Sequence, residues 1–174
     1  MNRNLAVPAL LIAGLFAGVA CGQGNRPSPS DTATVTLKGK EIKIAYSRPY
    51  MHGRKIMGDL VPYGQVWRTG ANEATMLFNP VPLNVGGFDL RAGKCTLWTL
   101  PSAGPWKLIL NGQTEQWGTN YDPSGDLARV DMQKATLDHP VEQFTISWKK
   151  TGEDSADLIM EWETTRVWVS VKAR

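Results

Sequence analysis

The sequence predicts an all-β fold: one antiparallel β-sandwich or jelly-roll-like domain of about ten short strands, carrying two long packed loops. Three observations lead there. From Thr32 onward apolar residues recur at every second position, the period of a half-buried strand. Gly, Pro and Asn clusters interrupt that alternation at short intervals. No window offers an amphipathic helix of more than two turns.

Taken in order, "TATVTL" and "EIKIAYS" flank Lys38-Gly39-Lys40 and read as a hairpin. "ATMLFN" (74–79) follows, then "PLNV" (82–85) and "FDL" (88–90) joined across Gly86-Gly87. "KCTLWTL" (94–100) leaves the turn Arg91-Ala92-Gly93, and "WKLILN" (106–111) stops at Asn111-Gly112. Four further segments, "RVDMQKATL", "VEQFTISWKK", "DLIMEWE" and "RVWVSVK", complete the set. In them Phe144/Ile146/Trp148, Leu158/Met160/Trp162 and Val167/Val169/Val171 each mark one face, so these side chains are expected to point inward together.

The N-terminus has a different character. Arg3 precedes a run without charge from Leu5 to Ala20, shorter than the roughly 20 apolar residues a spanning helix needs. It fits a signal peptide over 1–20. Small residues Ala17, Gly18 and Ala20 then lead to Cys21, as in the lipobox of bacterial lipoproteins, although Gly18 stands where Leu is usual. The reading is an exported protein, lipid-anchored at the cell envelope through Cys21, with soluble secretion as the alternative. Residues 21–30 form a Gly/Pro/Ser tether before a domain spanning 31–174.

Two cysteines, Cys21 and Cys95, are too few for a disulfide framework, and Cys95 in an apolar strand reads as a buried inert thiol. Without residues 1–20 the chain keeps 154 residues and a net charge of +2 with interspersed signs. That length suits one core, and the charge gives no nucleic-acid footprint. No spacing of His, Cys and Asp suggests a metal, and no cofactor is implied.

Two segments break the alternation. Arg48 to Gly70 contains Pro49, Pro62 and four glycines, and Gln113 to Ala128 reads "QTEQWGTNYDPSGDLA". Loops this long in a compact domain are usually either functional or disordered. Their aromatics, Tyr50, Tyr63, Trp67, Trp117 and Tyr121, are expected to pack them onto the sandwich.

At these residues the chain resembles a known family. "YSRPYMHGRKIMGDLVPYGQVWRTGANEAT", "LRAGKCTLWTLP", "WKLILN", "QWGTNYD" and "LIMEWETTRV" are similar to the bacterial family of domain of unknown function 2911, over about Pro27 to Val171. The resemblance implies an exported β-rich domain and supplies no catalytic residues. Cys95 stands where that family's pattern carries Tyr.

The chemistry is therefore weighed from residue types. His52 and His139 are the only histidines; neither sits by a nucleophile elbow, and both read as turn residues, with His52 also placed where it could join a pocket. In "VWRTGANEAT" two readings stand. Arg68 and Glu73 could pair across the loop, with Asn72 capping its backbone and Trp67 plugging the sandwich end. Alternatively Trp67, Arg68, Asn72 and Glu73 could line one site with Trp117 and Tyr121, suited to a small anionic or sugar-like ligand. A non-enzymatic binding or structural lipoprotein follows. The competing function is a small hydrolase of envelope glycans using Glu73 or Asp122, with Glu115 as a further carboxylate.

Overall fold

The computed structural model describes residues 26–174; the expected signal peptide, Cys21 and the first half of the expected tether lie outside the described residues. The chain is all-β. Nine strands run β1 (Ser30–Leu37), β2 (Lys40–Ser47), β3 (Thr75–Asn79), β4 (Leu83–Val85), β5 (Phe88–Leu90), β6 (Gly93–Leu100), β7 (Trp106–Asn111), β8 (Asp126–Lys150) and β9 (Ser155–Ala173). A 3-10 turn, Pro123–Gly125, precedes β8, and no α-helix occurs among the described residues. All pairings are antiparallel, in the order β1-β2-β3-β6-β7-β8-β9-β4-β5.

The four expected C-terminal strands are two long ones. β8 pairs with β7 from Asp126 to Met132, then with β9 from Gln133 onward. Register shifts between Thr136, Val141 and Thr145 bend it where the sequence suggests a break. His139, expected in a turn, is exposed within this irregular stretch. One open sheet thus folds over itself, bringing β1 and β2 against β8 and β9 across the core. Tyr46 of β2 shows the contact: its hydroxyl donates to the Ile146 carbonyl (3.3 Å) and accepts from the Ile146 amide (3.0 Å). Its ring meets Phe144 edge-on at 5.8 Å.

The inward faces follow the sequence pattern. Phe144, Ile146, Leu158, Met160, Trp162, Val167, Val169 and Val171 are buried in one cluster with Leu37, Ile42 and Ile44. Burying each such side chain contributes about 1.5–3 kcal/mol, so this seam carries much of the fold. Trp148 departs from the expectation: it is only half-buried, beside the β8–β9 turn, and its indole N–H has no partner among the described residues. Cys95 is buried in the same core, and burial pushes its thiol pKa up to about 12.

The first irregular segment runs on to Ala74 and is held by side chains of β8 and β9. Glu163 accepts the Ile56 and Met57 amides at 3.2 and 3.1 Å, and Glu142 accepts the His52 amide at 2.9 Å. Trp67 and Thr99 exchange both backbone hydrogen bonds (2.8 and 2.9 Å). Gly70 (φ 147°) crosses so near the Ser47 carbonyl that a Cβ would lie 2.8 Å from it. The second segment is shorter than expected, because β8 already begins at Asp126. Its Tyr121 covers Trp98 (4.9 Å) on the outer face of the sheet, over a small cluster with Ala74 and Ile109. Tyr63 and Trp117, expected to pack down, are more than 40% exposed (42% and 47%).

Candidate functional site

The turn after Trp67 spreads its side chains over separate surroundings. Thr69 (φ 56°), Gly70 (φ 147°) and Asn72 (φ 58°) lie in the left-handed region. Each reverses the local backbone, so neighbours in sequence face different ways.

Trp67 points inward. It stacks on Trp162 (5.8 Å, 17°) and meets Phe144 and Trp106 edge-on (5.0 and 6.5 Å), closing one end of the folded sheet. Arg68 faces a cleft of about 400 Å³ under the 48–74 segment. Its stem runs across the backbone of Gly118, where any Cβ would overlap it. Asn72 does not cap its own turn; Nδ2 donates to the Ser28 carbonyl at 3.1 Å. Glu73 pairs with Arg26 (2.7 Å), and Arg68 forms no ion pair among the described residues, so the expected Arg68–Glu73 bridge is replaced. Arg26 comes from the segment expected to be tether, and its hydrogen bond holds the Glu73 carboxyl below its usual pKa.

The cleft is built from both ends of the long loop. Tyr50, Trp67 and Trp162 supply aromatic surface, Leu60 an apolar rim, and Pro27 with Ser28 one wall. Among the described residues its charged lining is Arg54 and Arg68, with His52 beside them and no carboxylate. Arg54 is braced, donating to the Met51 and Tyr50 carbonyls at 2.9 and 2.7 Å. Arg68 Nε is buried and has no hydrogen-bond partner among the described residues. His52 does sit in a left-handed turn (φ 49°), 5.4 Å from the Tyr50 ring, and is also a member of this lining.

Other proposed site residues lie elsewhere. Glu73 belongs to a neighbouring hollow of about 260 Å³ with Asp31 and Tyr46; Asp31 is engaged by Arg48 at 3.1 Å. Trp117 bridges Glu73 through its backbone and exposes its ring. Tyr121 turns away to Asp126, donating at 2.7–2.8 Å, and accepts from Arg129 at 2.9 Å. Burial, then the Asp126 hydrogen bond, push the Tyr121 phenol up to about 12. Burial opposes ionisation of Asp126, but donors Tyr121, Asn111 and Arg129 outweigh it and hold the carboxyl low. Asp122 caps the 3-10 turn by accepting from Ser124 N (2.8 Å), and the Ser124 side chain, then this backbone bond, hold its carboxyl low. Glu115 is exposed, 3.5 Å from Lys94. Among the described residues no three His, Cys, Asp or Glu side chains gather as metal ligands.

Of the six residues read from sequence, the cleft therefore unites Trp67 and Arg68. Asn72, Glu73 and Trp117 flank it, and Tyr121 belongs to another network. Sequence reasoning missed Tyr50 and Arg54 as lining, and Pro27 and Ser28 as a wall. The prolines of "RPSPS" signalled a tether and gave no sign that it returns to the domain.

Fold and cleft together define an all-β domain with a loop-built, cationic and aromatic recess. The chain belongs to the family described as Protein of unknown function (DUF2911), matched over residues 28–171. No curated protein and no solved structure matches it.

Proposed function

We propose that this is a non-enzymatic, lipid-anchored cell-envelope protein whose cleft binds a small anionic ligand with an aromatic or sugar-like apolar face. The observation that carries the binding reading is the charge of the recess: among the described residues its lining holds two arginines, Arg54 and Arg68, and no carboxylate. An anionic oxygen in the cleft can pair with these guanidinium groups through charge-assisted hydrogen bonds. Tyr50 and Trp67 give a ring or sugar face its apolar platform. The uncharged Leu5–Ala20 run ending at Cys21 supports the envelope anchor. The hydrolase reading has less behind it. A glycosidase acid needs a raised pKa, whereas Glu73 and Asp122 are both exposed and held low.

Benzoate and inorganic phosphate serve as probes, one with a ring and one without. Binding at 100 times Kd stabilises the fold by about 2.7 kcal/mol, readable as a rise in Tm. Benzoate is expected to bind better than phosphate, and Arg68→Ala to remove the response while costing only about 1 kcal/mol of stability. A wild-type Tm unmoved by either probe, or equal shifts in wild type and Arg68→Ala, overturns the reading.

A further inference from the structure

We infer that residues 26–29 form a hinged strap whose docking closes the cleft and whose release opens it. The inference rests on the cleft being a binding site. Pro27 and Ser28 line the 400 Å³ recess, while Ser30, Asp31 and Glu73 line the 260 Å³ hollow beside it. The strap is the partition between them, and lifting it joins two hollows into one groove.

Its attachments among the described residues are few, and the outermost is open to solvent. Arg26 reaches Glu73 through an ion pair in which both side chains are half-exposed (52% and 51%), a contact weakened by salt. Ser28 is held by Asn72 Nδ2 (3.1 Å), and the Pro29 carbonyl by the Arg48 amide (2.8 Å). Arg26, Pro27 and Pro29 are exposed. From Ser30 the chain changes character, since β1 is registered against β2 without a break from Ser30 to Leu37. A firm ladder thus meets a lightly held segment at the Pro29–Ser30 junction. The two prolines fix φ and let the segment swing as a stiff unit.

Asn72 and Glu73, which the sequence suggested as ligand contacts, act in this arrangement as the clasp. The chain upstream of the strap leads to Cys21, so a pull from a membrane anchor falls on the clasp before it reaches β1. A ligand seated between Arg68 and the strap wall favours the docked strap, and by linkage the docked strap slows its release.

The test uses the full chain with Asn72→Asp and Glu73→Gln together. Asp tolerates the left-handed backbone at 72 but turns an acceptor toward the Ser28 carbonyl, and Gln removes the charge that holds Arg26. Phenylglyoxal labelling of Arg68, read residue by residue by mass spectrometry, is referred to exposed Arg91 in the same sample. The expected result is a several-fold rise in relative Arg68 labelling, faster exchange of the Arg48 amide, and faster benzoate dissociation. Wild-type protein across increasing salt should show the same labelling trend without any substitution. Unchanged Arg68 labelling alongside faster Arg48 exchange overturns the gate, because the strap would then leave without opening the cleft. An unchanged Arg48 amide overturns the clasp. Failure of benzoate to bind either protein counts against the ligand class alone, since Arg68 labelling still decides the strap.

Discussion

Replacing Gly118 with Ala tests how the two loops meet. The backbone of Gly118 lies against the Arg68 stem and donates to the Asn72 carbonyl at 2.9 Å. A Cβ at 118 would overlap Arg68 Cδ and stand 2.6 Å from the Asn72 oxygen. The Arg68 stem can swing away, but the Asn72 oxygen is backbone in a left-handed turn and has little freedom. Overpacking of this kind costs about 1–3 kcal/mol, and losing the 118–72 hydrogen bond adds about 1 kcal/mol. The expected destabilisation is about 2–4 kcal/mol, or roughly 4–16 °C in Tm at about 2–4 °C per kcal/mol. Urea unfolding with matched m-values measures it. Gly104→Ala is the control, because its Cβ meets nothing nearer than Ser102 Oγ at 3.8 Å. The displaced Arg68 should also weaken benzoate binding. If Gly118→Ala matches Gly104→Ala in both stability and binding, the loop contact does not position Arg68.

Other outcomes follow from the same contacts. Glu163→Ala strips the Ile56 and Met57 amides of their acceptor and should cost about 2–4 kcal/mol, with faster amide exchange at exactly those two positions as the check. Cys95 should resist thiol reagents at pH 8 in a Cys21→Ser protein and react only on unfolding, because its thiol titrates near 12. Its raised pKa also makes a stability contribution that is complete below the unfolded value near 9 and declines as pH climbs toward 12, by up to about 1.4 kcal/mol per unit. Cys95→Ala should flatten that alkaline decline in urea titrations. Mass spectrometry of the mature N-terminus should find acylated Cys21, and an unmodified terminus refutes the anchor.

The fold was legible where burial imposes a period. Leu158, Met160 and Trp162 face inward because alternation permits no other register with that face buried. The join of four expected strands into two was hidden, since a bulge near Val141 carries the same polar signature as a turn. The site was legible only as a composition of side chains. Whether Arg68 meets Glu73 depends on three left-handed residues between Trp67 and Glu73, and sequence proximity cannot report that reversal. Nor could it show that Arg26, 47 positions upstream, returns to take the carboxylate. Both readings of Trp67 describe something the structure shows, since it stacks on Trp162 at the end of the folded sheet and also lines the cleft.

The 25-residue β8 belongs to both halves of the folded sheet. During synthesis β1 to β7 leave the ribosome first, with the apolar faces of Ile42, Ile44, Leu77 and Leu97 lacking their cover. Only when β8 and its hairpin partner β9 follow can the sheet double over. If the chain is exported as proposed, that delay serves it, because a chain held unfinished until its final third arrives remains threadable through a translocation channel.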